Sequence, residues 1–141
     1  EAALLRLLVK GVSGGLVRSA HDCAEGGLAV ALAECCFDTG FGAEADVPAV
    51  ETALSGFDDV CALFGESASR VIVSVAPDAV ANMLALAAEA GVPVTQVGRV
   101  GGTQIRIVVA GRTVLDEPLV AAEHRWSNAI GSFFDSEHAT A

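Results

Sequence analysis

Apolar residues recur at helical spacing through Ala3-Leu4-Leu5-Arg6-Leu7-Leu8-Val9, which predicts an opening helix over residues 2–12, stopped at Ser13-Gly14-Gly15. Residues 16–20 read as a strand. After His21-Asp22 the stretch 27–37 is apolar on every side except at Glu34, the mark of a helix enclosed in a core rather than lying on a surface. It ends at Asp38-Thr39-Gly40, and 41–47 alternates weakly as a strand closed by Pro48. Over 49–60, Val50, Ala53, Leu54 and Phe57 keep a helical spacing that Ser55-Gly56 interrupts, giving a short helix and loop.

Farther on, Val71-Ile72-Val73-Ser74-Val75 is a β-branched, continuous strand. Pro77 and Asp78 open a helix whose apolar face is Val80, Met83, Leu84 and Ala87, and Gly91 and Pro93 close it. Segments 94–100 and 104–109 flank Gly101-Gly102-Thr103 and predict a β-hairpin. In the second of them Ile105, Ile107 and Val109 share one face, opposite Gln104 and Arg106. Leu119, Ala122, Trp126, Ile130 and Phe133 predict a last amphipathic helix after Pro118, with Trp126 in the core, His124 at the surface and a frayed tail over 135–141.

This order of elements predicts an α+β fold, an α/β sandwich with a mixed, mostly antiparallel sheet flanked by helices and partly ferredoxin-like. The 141 residues form one domain, and 52% hydrophobic content is ample for a core. The chain begins with Glu1 already inside a helical pattern, so it is expected to be a piece of a longer chain.

Charge narrows the partners. Eighteen acidic against eight basic residues give −10, which argues against non-specific attraction to nucleic acid or to an anionic membrane. No apolar run reaches spanning length without charge or glycine, and no signal peptide is visible, so a cytoplasmic protein is expected. Cys23, Cys35, Cys36 and Cys61 lack CxxC spacing and a companion His at zinc-finger distance, so no metal site is expected from them. Cys35 and Cys36 read as small buried hydrophobes, in keeping with a reducing compartment.

The stretch with chemistry is Ser19-Ala20-His21-Asp22-Cys23-Ala24-Glu25-Gly26-Gly27-Leu28. A strand turning sharply into a helix at paired glycines aims backbone N–H groups at open space, where the positive end of the helix dipole favours an anion such as phosphate. The same residues also carry a structural reading. Asp22 and Glu25 fit a D-x-x-E capping box, His21-Asp22 can fix the turn, and Gly26-Gly27 can allow close packing. Glu66 and Ser67, ahead of the 71–75 strand, can face a ligand, or Glu66 can pair with Arg70 across a turn. Arg70 is the best placed cation.

Taken together, Ser19-Ala20-His21-Asp22-x-x-x-Gly26-Gly27-Leu28-Ala29-Val30-Ala31-Leu32-Ala33-Glu34 and Leu63-Phe64-Gly65-Glu66-Ser67-x-Ser69-Arg70 resemble the C-terminal domain of the aminoimidazole ribonucleotide synthetase superfamily, over about 5–134. Selenophosphate synthetase and thiamine monophosphate kinase carry a similar glycine turn. The Phe-Gly-Glu-Ser stretch favours the phosphoribosylformylglycinamidine synthases, amidoligases of purine biosynthesis.

The resemblance implies that 1–141 is a C-terminal fragment of a longer multidomain enzyme, with His21, Asp22, Gly26, Gly27, Glu66, Ser67 and Arg70 as phosphate- or nucleotide-binding residues. It implies ATP and Mg2+ in the full-length enzyme, with none expected in the isolated domain, whose catalytic residues would lie upstream. Its implied partners are upstream domains of the same chain, a glutaminase subunit or domain supplying ammonia, and a small-molecule nucleotide substrate. At the turn this chain has Ala24-Glu25 where the family usually has Ser-Asp, so a hydroxyl able to cap the helix or touch phosphate is missing.

Overall fold

Alternation along two strands sets the centre of the molecule. β2 (Ala43–Val47) buries Ala43, Ala45 and Val47 and exposes the residues between, and β5 (Gln104–Val109) buries Ile105, Ile107 and Val109. Their inward faces meet α2 (Gly27–Cys36), which buries Leu28, Ala31, Leu32 and Cys36 against them. The computed structural model describes residues 1–48 and 58–138, with 135–138 described in backbone only.

β2 is parallel to β5 and antiparallel to β4 (Gly98–Val100), while β6 (Arg112–Pro118) is antiparallel to β5, giving the order β4-β2-β5-β6. A separate pair joins β1 (Val17–Asp22) to β3 (Val71–Val75) antiparallel. α3 (Asp58–Phe64) adds Ala62 and Leu63 to the main core. A second cluster, Leu7, Met83 and Ala87, lies where α1 (Ala2–Ser13) packs on α4 (Val80–Glu89), which follows a 3-10 turn at Pro77–Ala79. α5 (Leu119–His138) enters the main core through Leu119. The α/β layering, mostly antiparallel pairing and flanking helices are those the sequence leads one to expect, with the strands divided between two sheets.

Several elements differ from the sequence reading. The segments around Gly101-Gly102-Thr103 do not pair with each other, because β2 lies between them. The glycine loop wraps the start of β2 instead: Gly101 N–H donates to the Gly42 carbonyl (2.8 Å) and Gly42 N–H to the Gly102 carbonyl (2.9 Å). The hairpin is one register later, between β5 and β6, where Ala110 and Gly111 both have positive φ, 50° and 77°. That is the two-residue turn that matches strand twist. Alanine pays a steric cost in this conformation, so Ala-Gly gives no turn signal of the kind Asn-Gly gives.

His21 and Asp22 are not in a turn. β1 continues through them, with His21 opposite Ile72 and Asp22 opposite Val71. Trp126 is 54% exposed rather than core, though its ring stands 6.1 Å from that of Phe37. On α4, Met83 and Ala87 are buried but Leu84 is exposed. α5 runs through 135–138, residues expected to fray; 139–141 and residues 49–57 of the helix and loop expected over 49–60 lie outside the described residues, while 58–60 begin α3. Among the described residues no helix is long and apolar enough to cross a membrane.

Candidate functional site

The end of β1 and the loop before β3 meet at the start of α2. Cys23 N–H donates to the Arg70 carbonyl (3.0 Å), extending the β1–β3 ladder into both loops. Asp22 Oδ1 accepts the Ala24 N–H at 3.4 Å as the chain leaves the strand. Gly26 and Gly27 then take left-handed φ values of 75° and 71°, a succession that glycine adopts without steric cost.

α2 therefore starts from Gly26, which has no side chain to cap it. Its cap comes from 40 residues away: Glu66 Oε1 accepts the Gly26 N–H at 2.9 Å. The Asp22–Glu25 capping box is not formed, because the helix begins after Gly26 and both carboxylates lie ahead of it. Nor does Glu66 pair with Arg70. Its carboxylate is on Gly26, while the Arg70 guanidinium donates to the Gly65 carbonyl (3.1 Å) and closes the 65–70 loop.

The two glycines do different work. A Cβ on Gly27 would lie 2.6 Å from the Leu63 carbonyl oxygen and 2.7 Å from Phe64 Cα, so Gly27 lets α2 and α3 touch backbone to backbone. Gly26 is half-buried and presents its amide outward to Glu66. Close packing is thus seen at Gly27, while the Gly26 amide is bonded to a carboxylate.

His21 bridges the strand to the helix. Its Nδ1 donates to the Asp22 carbonyl oxygen (2.6 Å) and its Nε2 lies 3.2 Å from Glu34 Oε2. Both partners are acceptors, so the ring fills both bonds only with a proton on each nitrogen. Glu34 is the residue that sequence reasoning left without a role. Its signal was present, as the one charged side chain in an otherwise apolar helix. Cys23 lies under this corner, 2% exposed. Burial pushes its thiol up, with Arg70 opposing and Asp22 adding to the rise.

Of the expected residues, His21, Asp22, Gly26, Glu66 and Arg70 therefore gather at one corner, Gly27 sits beneath it, and Ser67 stands exposed on the same loop. The Gly26 amide is occupied by the Glu66 carboxylate, which a phosphate would have to displace. The corner carries Asp22, Glu25, Glu34 and Glu66 against His21 and Arg70. Further cations would be needed to hold a phosphate there. Among the described residues no three His, Cys, Asp or Glu side chains converge as a metal-binding group.

Comparison with known proteins agrees with this fold. The subunit PurL of phosphoribosylformylglycinamidine synthase from Thermobifida fusca is 46% identical over 108 residues, covering 77% of this chain and 13% of that protein. The Moorella thermoacetica subunit is 42% identical over 130 residues, 92% of this chain and 17% of that protein. That of an Anaeromyxobacter strain is 38% identical over 148 residues, all of this chain and 19% of that protein. The chain thus spans less than a fifth of the length of these curated relatives. Among solved structures, T. maritima PurL complexed with FGAR superposes with a TM-score of 0.74 at 22% identity, over 86% of this chain and 20% of that one. The structure of PurLQS from the same organism gives 0.72 at 23%, over 83% and 20%. The family model described as AIR synthase related protein, C-terminal domain, matches residues 2–110, and the chain belongs to that family.

Proposed function

We propose that this chain is the C-terminal domain of a phosphoribosylformylglycinamidine synthase subunit, the ATP-dependent amidoligase that converts formylglycinamide ribonucleotide to formylglycinamidine ribonucleotide with ammonia drawn from glutamine. The observation that carries the reading is the Gly26–Glu66 bond, which joins the two motifs of the resemblance in space. The identities to PurL subunits of three organisms support it.

In this reading the segment supplies one wall of a phosphate or nucleotide site. The Gly26 amide donates to a phosphoryl oxygen once Glu66 swings away, and the Arg70 guanidinium leaves the Gly65 carbonyl to add positive charge. Asp22 and Ser67 border the same wall, and the His21–Glu34 bridge keeps β1 fixed against α2 while the loop moves. Bound ATP supplies the phosphoryl group that activates the amide oxygen. Magnesium and the remaining cations come from upstream domains, since the corner is too acidic to hold a phosphate alone. A glutaminase partner delivers ammonia, and the work is done in the cytoplasm. The isolated domain turns nothing over.

The test is a steady-state assay of the purified complete polypeptide with formylglycinamide ribonucleotide, ATP, magnesium and ammonia, beside residues 1–141 alone. Formation of the amidine by the complete polypeptide only is the expected result. A folded complete polypeptide without turnover, or turnover by the segment alone, overturns the proposal.

A further inference from the structure

α1 carries apolar side chains outward as well as inward. Leu7 and Gly11 are buried against Met83 and Val17, yet Leu5, Val9 and Val12, at i, i+4 and i+7, are 58%, 65% and 57% exposed along its outward side. A surface helix keeps polar residues on its outward side, and an exposed apolar stripe rimmed by charge marks an interaction face.

The margin of the stripe is cationic. Arg6 and Lys10 line a shallow hollow with Leu5 and Val9, and no acidic residue occurs within the helix. Five of the chain's eight cations, Arg70, Arg99, Arg106, Arg112 and Arg125, engage a neighbour. Among the described residues Arg6, Lys10 and Arg18 do not, and Arg6 and Lys10 stand on this helix. In a molecule of net charge −10, two of the cations without partners, Arg6 and Lys10, flank the exposed apolar stripe.

We infer that the Leu5-Val9-Val12 face docks on the remainder of a longer polypeptide, against an apolar surface rimmed by carboxylates that meet Arg6 and Lys10. This rests on the reading of the chain as a segment of a synthase subunit, whose relatives are several times longer, the matched part being 13–19% of each. A second copy is the poorer occupant, because two-fold pairing of this face would set Arg6 and Lys10 against their own copies.

The experiment uses the complete polypeptide carrying Val9→Cys, reacted with a maleimide in buffer and in urea, with labelling read on the α1 peptide by mass spectrometry. Native labelling should be at least about 20-fold slower than unfolded labelling, unchanged on dilution, and Arg6→Glu with Lys10→Glu should raise the native rate about fivefold or more. The thermal midpoint of each variant establishes that it is folded. Native labelling within about threefold of the unfolded rate overturns the inference, as does protection that is lost on dilution, which would mark a second copy. Protection indifferent to charge reversal overturns the acidic rim. Turnover is not read, so failure here and failure of the synthase reading remain distinguishable.

Discussion

Glu66 caps α2 from the far side of the chain: its Oε1 accepts the Gly26 N–H at 2.9 Å, so a carboxylate occupies the position that the glycine turn offers to an anion. The start of the helix is thus tied to a residue 40 positions downstream. Glu66→Ala should therefore cost about 0.5–2 kcal/mol, the range of a lost N-cap, and Glu66→Gln, which keeps an acceptor oxygen, markedly less. Urea titration of both variants checks this. Equal losses would mean that the side chain acts through something other than the bond to Gly26.

Gly27→Ala should be the most damaging single methyl in the turn. It forces a side chain into φ 71° and to 2.6 Å from the Leu63 carbonyl, whereas Gly15→Ala at φ 70° meets nothing within 4 Å. The second isolates the conformational cost at about 1 kcal/mol, and the first adds the displacement of α3, for a total of roughly 3 kcal/mol or more. Denaturant midpoints of the two variants decide it; equal losses would remove Gly27 from the α2–α3 contact.

Where period and composition dominate, the sequence was readable. The enclosed helix with its lone Glu34, the β-branched strand at 71–75 and the alternation of Ile105, Ile107 and Val109 all stand as read. What escaped was non-local. The insertion of β2 between β4 and β5 depends on backbone contacts at Gly42 and Gly98 that no local pattern announces. β6 was missed because Ala110 sits at φ 50°, against its own preference. At the site, both motifs were visible, but which partner each took was not. Glu66 could as well have paired with Arg70, and only the fold sets it on Gly26.

The thiols of Cys23, Cys35 and Cys36 predict a pH dependence of stability on the alkaline side. Burial pushes Cys23, Cys35 and Cys36 above the ordinary thiol value of 9.0. The fold thus favours the neutral thiols. This contribution is whole below pH 9.0, where the unfolded thiols are also protonated, and is lost as the pH rises from there toward the folded values. The urea midpoint should fall from pH 8 to pH 10, and Cys23→Ala with Cys36→Ala should flatten that fall. A slope unchanged by the substitutions would assign it to other groups.

The most direct test of the account is whether Arg70 and Glu66 serve the complete enzyme rather than only the fold. In the complete polypeptide, kcat/KM for formylglycinamide ribonucleotide and for ATP should be measured for Arg70→Met and Glu66→Gln, with the thermal midpoint taken on the same samples. Loss of a charge-assisted contact of about 1.5–3 kcal/mol predicts that Arg70→Met lowers kcat/KM by about 10- to 150-fold with a midpoint close to the parent's. Values within about twofold of the parent for both variants, with the fold intact, would contradict it and leave the Gly26 corner as architecture.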